Sequence, residues 1–427
     1  SGSGWDATEQ SAPSIGAQPN SQMLFPEPGS DGIMLAVNDD SNHIHYLYWN
    51  GSSWGADNEL ETSSGDDKNQ PFLFLWEGVA GSPPATVTVN STGDAIDNNI
   101  GDGLCDTGGT IGVDPECTLR AAIQEANASV VDTVEFAIPV GDPNHSGGVW
   151  TITPGSAFDP LSTTLTLDGT TQAGYAANTN AATAALNGTN AIVIDGGGLT
   201  SDGLTISGDD VVVEGLVVND FDGDGIRITG ARATVTAIYV GTDVTGTVAQ
   251  PNTGDGIVVI GNDATIGGLT AADRVLVSGN DGQGLEITAT GTAVYGAVIG
   301  LDATTATDLP NGRNGIRLNN GTDAIIGAPG AGNIVSGNNL AAATADGIYI
   351  PGGSGHTLQA NLVGTNDAGA DLGNYSAGIA INGSTGVQVG GSGPGDGNVF
   401  SGNGSTGVTI TGAGASGNSV LGNFIGT

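Results

Sequence analysis

Positive charge is almost absent from this sequence. Its 427 residues include only 7 Lys and Arg against 45 Asp and Glu, which gives a formal net charge of −38 at pH 7. A surface with this balance repels nucleic acid, anionic lipid and polyuronate chains, because all three carry negative charge. The composition therefore excludes nucleic-acid partners and indicates an acidic, soluble protein.

Long hydrophobic runs are missing as well, and aromatic residues make up only 5% of the chain. A transmembrane helix needs about 20 consecutive, mostly apolar residues, and no segment comes close to this length. We therefore expect no insertion into a membrane. Apolar residues still make up 38% of the sequence, which is enough to fill a long and thin core.

Glycine is abundant instead, with 75 residues, and it opens a repeated motif of glycine, apolar residue, variable residue and apolar residue. The eight copies begin at Gly203, Gly225, Gly256, Gly284, Gly315, Gly347, Gly378 and Gly407. Successive motif glycines lie 22 to 32 residues apart. A period of this size is typical of a solenoid, in which each repeat packs on its neighbours.

A second, longer repeat spans two of these short ones. Its marker is a glycine after an apolar pair, at Gly241, Gly300, Gly364 and Gly426, spaced by 59 to 64 residues. Ser-Gly-Asn tripeptides recur with a similar spacing and end at Asn280, Asn338 and Asn403. We expect these asparagines to stack in a ladder that satisfies the backbone of the turns.

Inside each motif the apolar residues alternate with a variable one, which is the period of a β-strand with one buried face. A coil of about three such strands, stacked roughly 4.8 Å from the next, makes a parallel β-helix. We therefore predict an all-β fold, with a right-handed parallel β-helix over residues 139–427. No polar cap follows the last motif, so we expect further coils beyond residue 427 or a head-to-tail contact with a second copy.

Residues 1–80 have a different character. The strand pattern from His43 to Trp49 alternates cleanly and is followed by Asn50-Gly51, a hairpin signal, and then by Trp54. This stretch resembles one blade of a β-propeller. It predicts a small antiparallel β segment whose aromatic residues form a core, with glycan binding by those aromatics as the alternative.

Residues 86–138 resemble a known family. The matching segments are Val-Thr-Val-Asn-Ser-Thr-Gly-Asp from Val87, Gly-Asp-Gly-Leu-Cys from Gly101, and Cys-Thr-Leu-Arg-Ala-Ala-Ile-Gln-Glu-Ala-Asn from Cys117. Together they resemble the CSLREA domain, although Thr118 and Ala121 depart from its signature. The resemblance implies an exported bacterial surface protein in which the domain precedes a β-helix. It carries no catalytic residues with it.

The same segment predicts a short capping helix. Leu119, Ala122, Ile123 and Ala126 recur at helical spacing behind Thr118, a suitable N-cap. A helix laid across the open end of the solenoid shields the edge strand from unwanted pairing. The only two cysteines, Cys105 and Cys117, lie in this segment, and we expect them to form one disulfide in an oxidising compartment.

We expect the variable residues of the eight motifs to face outward, so they give the side chains on one outer face of the β-helix. They are Thr205, Arg227, Val258, Glu286, Arg317, Tyr349, Ala380 and Thr409. Glu286 is the only carboxylate among them, and we expect it to form an ion pair with Arg317 on the next coil.

Because a single carboxylate cannot make the paired acids of a polysaccharide-cleaving site, we expect no enzymatic activity. We predict an exported structural or adhesive rod, part of a large cell-surface protein or of an extracellular filament. The alternative is a carbohydrate-active β-helix, either a polysaccharide lyase or hydrolase or a phage-type tailspike. Clustering of Asp and Glu in one groove distinguishes this alternative.

One motif has the spacing of a metal-binding loop. Asp220, Asp222 and Asp224 alternate and are followed by Gly225, as in the first half of a calcium loop. The glutamate that closes such a loop is missing, since Ala231 stands in its place. The pattern predicts a calcium site at the three aspartates, with a solvated turn as the alternative. No other cofactor is indicated.

Overall fold

The computed structural model describes residues 19–26, 33–39, 44–49, 58–61, 85–128, 131–338 and 345–426. The chain divides into two compact units, Ser1–Pro83 and Pro84–Thr427. The first unit contains the expected antiparallel sheet, with strands Pro19–Pro26, Ile33–Asp39, Ile44–Trp49 and Asn58–Glu61. The predicted hairpin turn at Asn50-Gly51 and the residue Trp54 lie outside the described residues.

The second unit is built from three long sheets, here called A, B and C. Sheet A has strands Ala85–Val89, Val131–Phe136, Thr166–Asp168, Val212–Glu214, Thr234–Thr236, Thr265–Gly267, Ala293–Tyr295, Ile325–Ile326, Thr357–Leu358, Gln388–Gly390 and Ser419–Leu421. Sheet B has strands His145–Ser146, Val149–Ile152, Ile192–Leu199, Leu216–Phe221, Tyr239–Val240, Leu276–Val277, Val298–Ile299, Ile334–Val335, Leu362–Val363, Val399–Phe400 and Phe424–Ile425. Sheet C has strands Leu204–Ile206, Ile226–Ile228, Ile257–Val259, Leu285–Ile287, Ile316–Leu318, Ile348–Ile350, Ile379–Asn382 and Val408–Thr411.

The chain visits the sheets in a fixed order. It runs from a strand of sheet C to one of sheet A, then to one of sheet B, and so enters the next coil. Apart from the hairpin of His145–Ser146 with Val149–Ile152, strands within these sheets pair in parallel with their counterparts on the neighbouring coils. This is the predicted right-handed parallel β-helix, and all eight glycine motifs supply the strands of sheet C.

The motif glycines are required by close packing between the coils. A Cβ atom on Gly225 would lie 2.5 Å from Val240 Cγ1 and 2.7 Å from the carbonyl oxygen of Gly256. No side chain fits at that distance. Gly241 has a different reason, since its φ of +86° is one that L-residues avoid. The two kinds of repeated glycine therefore mark two kinds of turn.

Buried asparagines stack along one inner corner of the rod, as the Ser-Gly-Asn repeat predicts. Each side chain donates from Nδ2 to Oδ1 of the asparagine on the next coil over 2.9 to 3.0 Å, through Asn252, Asn280, Asn311, Asn338, Asn374 and Asn403. Because every amide is both donor and acceptor, the ladder satisfies buried polar groups without any charge.

The N-terminal end is closed by the predicted helix, Leu119–Ala128, whose apolar side is buried. Thr118 Oγ1 accepts a hydrogen bond from the amide of Ala121 over 3.1 Å, which confirms the N-cap. Cys105 and Cys117 form the expected disulfide. Closing a loop of this length stabilises the fold by about 2–4 kcal/mol.

Within the described residues, one 3-10 turn, Gly169–Thr171, and a small hairpin of Thr110–Ile111 with Asp114–Pro115 complete the regular structure. Across the parts of the chain that the structure describes, no helix has the length and apolarity to cross a bilayer.

Candidate functional site

The three sheets differ in how open their outer faces are. On sheet B, the outward side chains Val217, Tyr239 and Leu276 form a second apolar cluster with Leu301 and Leu372 from the long turns. That face is therefore covered by the chain itself. Sheet C carries its outward side chains on a face that includes two open hollows, and it is the face on which functional groups gather.

The outward side chains of sheet C, here called the strand column, lie as the sequence predicts. Glu286 pairs in register with Arg317 on the next coil, and Arg317 Nη1 lies 2.8 Å from Glu286 Oε1. The expected ion pair is confirmed. Asn319 Nδ2 donates to the same oxygen over 2.9 Å.

A second column of side chains runs beside the first, and the sequence analysis missed it. It consists of the residue just before each motif glycine, here called the turn column: Asp202, Asp224, Asp255, Gln283, Asn314, Asp346, Ala377 and Thr406. The repeated Asp-Gly dipeptide was its signal. Alternation within the strand says nothing about these residues, because they precede the strand and lie in the turn from sheet B.

Hydrogen bonds hold the turn column in line. Oδ1 of Asp202 accepts from the amide of Asp224, and Oδ1 of Asp224 accepts from the amide of Asp255, each over 2.9 Å. Oδ1 of Asp255 accepts from the amide of Gln283 over 2.5 Å. Gln283 and Asn314 continue the pattern with their amide oxygens. The side chains from Asp202 to Asp346 thus each cap the turn of the following coil.

The two columns are close enough to act together. Asp224 Oδ2 lies 3.1 Å from Nη1 of Arg227 in the same motif. At the other end of the face, the hydroxyls of Thr406 and Thr409 lie 2.5 Å apart. The columns therefore form one stripe, in which Asp202, Asp224, Asp255 and Glu286 stand on four successive coils.

Two carboxyl groups in the middle of this stripe have raised pKa values. Burial raises the pKa of the Asp255 carboxyl to about 6, and the neighbouring carboxylates of Asp224 and Glu286 add to the rise. Burial also raises the pKa of Asp224, although Arg227 opposes it. Asp255 therefore keeps its proton at mildly acidic pH, as a general acid must.

Glu286 offers the complementary group. Its Oε1 accepts from Arg317 and Asn319, whereas Oε2 is buried and has no hydrogen-bond partner within the described residues. A buried carboxylate oxygen without a partner costs free energy. That oxygen is shielded from solvent, so it accepts a hydrogen bond from a ligand hydroxyl or a water molecule only when the Glu286 side chain turns outward.

Two open hollows flank these carboxyl groups along the stripe. The first has a volume of about 660 Å³ and is lined by Phe158, Ser201, Asp202, Thr205 and Asp222, among others. The second has a volume of about 420 Å³, and its lining includes Asn314, Asp346, Tyr349, Ala380 and Thr409. Both volumes lie in the range of ligand sites.

The cap helps to build the first hollow. Arg120, on the capping helix, pairs with Asp94 at 2.9 Å and donates to the carbonyl oxygens of Ser156 and Ala157. Its guanidinium carbon lies 5.0 Å from the centre of the Phe158 ring. The segment that walls the hollow is therefore fixed by a buried arginine of the cap.

The predicted calcium ligands do not gather around one point. Asp220 and Asp222 are exposed, while Asp224 is engaged by Arg227 and by the amide of Asp255. In the part of the chain that the structure describes, no three His, Cys, Asp or Glu side chains form a cluster suited to a metal ion. Calcium binding at these aspartates stays a prediction.

Comparison with known proteins adds little beyond the fold. No family model and no curated protein matches the chain, so the CSLREA resemblance stays a prediction. Among solved structures, pectate lyase Pel9A is similar over 79% of this chain and 80% of its own, with 13% identity and a TM-score of 0.32. The enzymatically active domain of tailspike protein 2 from bacteriophage CBA120 is similar over 96% of this chain and 50% of its own, with 13% identity and a TM-score of 0.34.

These findings correct one expectation from the sequence. We expected no enzymatic activity, yet the two similar structures are a pectate lyase and an enzymatically active tailspike domain. The physical reason for the error is the turn column, because the count of one outward carboxylate left out Asp202, Asp224 and Asp255. The structural or adhesive rod stays a prediction.

Proposed function

We propose that this protein is a carbohydrate-active β-helix that binds an extended neutral glycan along the stripe on sheet C and hydrolyses it. The observation that carries the proposal is the line of Asp202, Asp224, Asp255 and Glu286 on one face, which starts in the first hollow and continues toward the second. Such clustering is the feature that distinguishes a carbohydrate-active protein from a structural rod.

The charge of the protein selects the class of glycan. Carboxylates accept hydrogen bonds from sugar hydroxyls, but a chain with a net charge of −38 repels a polymer of uronic acids. The hollows add hydroxyl groups from Ser201, Thr205 and Thr409 and the ring of Tyr349. A neutral polysaccharide fits this surface best.

Hydrolysis of a glycosidic bond needs one protonated and one ionised carboxyl group. In the proposed reaction Asp255 gives its proton to the leaving oxygen as the carbon–oxygen bond breaks. The carboxylate of Glu286, turned outward, takes a proton from the water whose oxygen bonds to the same carbon. Asp224 acts through Asp255, because its negative charge helps to raise the pKa of that carboxyl group.

An exported setting is part of the proposal. The disulfide between Cys105 and Cys117 supports an oxidising compartment, and the large excess of acidic side chains suits an extracellular surface. Assembly with further copies and calcium binding are not needed for the proposed reaction.

The test is release of reducing ends from a panel of neutral polysaccharides by the purified chain. We expect activity that falls as pH rises above about 6, because Asp255 then loses its proton. Asp255→Asn and Glu286→Gln should each lower the rate by about 10²- to 10⁴-fold.

Asp243→Asn is the matched control, since the Asp243 carboxylate also accepts backbone hydrogen bonds but lies in the long turn after the Tyr239–Val240 strand of sheet B and lines neither hollow. It should retain the activity of the parent protein. Equal rates for Asp255→Asn and Asp243→Asn, or no product from any glycan of the panel with a folded protein, would contradict the proposal.

A further inference from the structure

A long segment, residues 172–191, leaves the first coils and lies across later ones. We call it the strap. Asn178 Nδ2 donates to the carbonyl oxygen of Ala271 over 2.7 Å, and the amide of Leu186 donates to the carbonyl oxygen of Ala303 over the same distance. The strap therefore bridges parts of the chain that are about a hundred residues apart in sequence.

Arg274 holds the strap in place through hydrogen bonds to its backbone. Its Nη1 donates to the carbonyl oxygens of Ala181 and Ala184, each over 2.8 Å, and its Nε donates to that of Gly296 over 3.1 Å. The residue is only 2% exposed. Its Nη2 is buried and has no hydrogen-bond partner among the described residues.

Arg274 also forms no ion pair within the described residues, and the one carboxylate that acts on its charge, Asp367, does so without a salt-bridge contact. The ion pairs of the described residues involve Arg120, Arg227, Arg232 and Arg317 but not Arg274. Burial lowers the pKa of its guanidinium to about 10, so the group still carries its charge at neutral pH. An isolated buried charge is unfavourable unless an opposite charge compensates it.

A small pocket lies beside the side chain of Arg274. It has a volume of about 10 Å³ and is lined by Arg274, Tyr175, Tyr239, Asn178 and Asn190, among others. This is room for one water molecule or one monatomic ion. Tyrosine hydroxyls are hydrogen-bond donors and can face an anion together with a guanidinium.

We propose that this pocket binds a single halide ion, chloride under ordinary conditions, which neutralises Arg274 and locks the strap. Asp168, Glu214 and Asp273 lie close enough to Tyr175 for their negative charges to raise its pKa, after burial, so the surroundings disfavour an anion with more than one charge. The small volume excludes sulfate and phosphate. The remaining candidate is a monovalent, monatomic anion.

Thermal unfolding of the full chain at constant ionic strength tests the proposal, with sodium gluconate exchanged stepwise for sodium chloride. Binding to the folded state alone should raise the Tm by about 2 °C for each tenfold rise in chloride above its dissociation constant. Arg274→Met should abolish this dependence. Arg232→Met, which removes an exposed arginine, should keep it.

Crystals soaked in bromide give a second measurement that does not depend on the variant folding. An anomalous peak in the pocket beside Arg274 Nη2 supports the proposal. An empty or water-filled pocket, or equal Tm values in chloride and gluconate, overturns it. A chloride dependence that Arg274→Met leaves unchanged also overturns it.

Discussion

Two stretches of the turn column perform the same backbone task with different chemistry. Asp202, Asp224 and Asp255 cap the following turn through a carboxylate oxygen, whereas Gln283 and Asn314 cap it through an amide oxygen. The amides do this without charge. Carboxylates are thus not required for the fold at these positions, and burial, together with the neighbouring carboxylates, raises the pKa of Asp255 to about 6.

This difference separates the structural role of the turn column, which is to cap the turns, from a chemical role of its carboxylates. A charged residue is a candidate for a chemical role when its burial costs free energy and a neutral residue of the same shape could replace it in the fold. The neutral stretch shows that the coil needs only a capping oxygen at these positions. The acidic stretch adds a negative charge that the cap does not require.

The largest expected effect comes from the neutral stretch. Asn314→Ala removes the oxygen that accepts from the amide of Asp346 over 2.8 Å and leaves that buried amide without a partner. We expect a loss of about 1–3 kcal/mol in the free energy of unfolding, measured by chemical denaturation. Asn314→Asp keeps the acceptor and serves as the control, and it should lose far less at pH 4 than Asn314→Ala does.

The acidic stretch should show itself as a dependence of stability on pH. Because the folded-state pKa of Asp255 is raised from 3.8 to about 6, the folded state holds a proton that the unfolded state has lost. Stability from this group therefore falls as pH rises from about 4 to 6, by about 1–2 kcal/mol after allowance for solvent screening. Asp255→Asn should flatten this part of the profile; an unchanged profile would show that Asp255 titrates normally.

His356 provides a contrast of opposite sign. Its buried Nδ1 accepts from the amide of Ala324 over 3.2 Å, and burial lowers its pKa although Asp323 opposes the shift. As pH falls below 6.5, the unfolded state gains a proton that the folded state resists. Stability should fall by up to about 1.4 kcal/mol per pH unit in that range, and His356→Asn should remove the loss in the same denaturation assay.

The smallest effect should come from the pair of Asp224 with Arg227, whose arginine side chain is 38% exposed. Arg227→Gln should cost only about 0.2–1 kcal/mol, because water screens such pairs. It should also raise the pKa of Asp224 further, which NMR titration of that carboxyl group would detect. A cost as large as that of Asn314→Ala would mean that the charge pair, and not the capping oxygen, holds this stretch together.

The repeated motif was enough to predict the sheets and the strand column. Alternation around Gly284 and Gly315 placed Glu286 and Arg317 on adjacent coils, because neighbouring coils of a solenoid keep the same register. The N-cap at Thr118 and the disulfide followed from local rules in the same way.

The rest depends on contacts that local patterns do not encode. Asp255 lies in a turn, where alternation gives no direction, and its raised pKa depends on burial by later coils. Arg274 lies outside the glycine motif, and its partners Ala181 and Ala184 are about ninety residues away. The strap was not predictable from spacing, and the acidic stripe had only the repeated Asp-Gly dipeptide as its signal.

The asparagine ladder has a consequence for the length of the rod. Every amide from Asn252 to Asn374 donates in the same direction, to the next coil, so any interior coil presents the same connection on both sides. Coils can be gained or lost in evolution in steps of about 4.8 Å without new chemistry in the turns. The distance between the two hollows then changes only by whole multiples of the coil spacing, so the number of coils sets that distance.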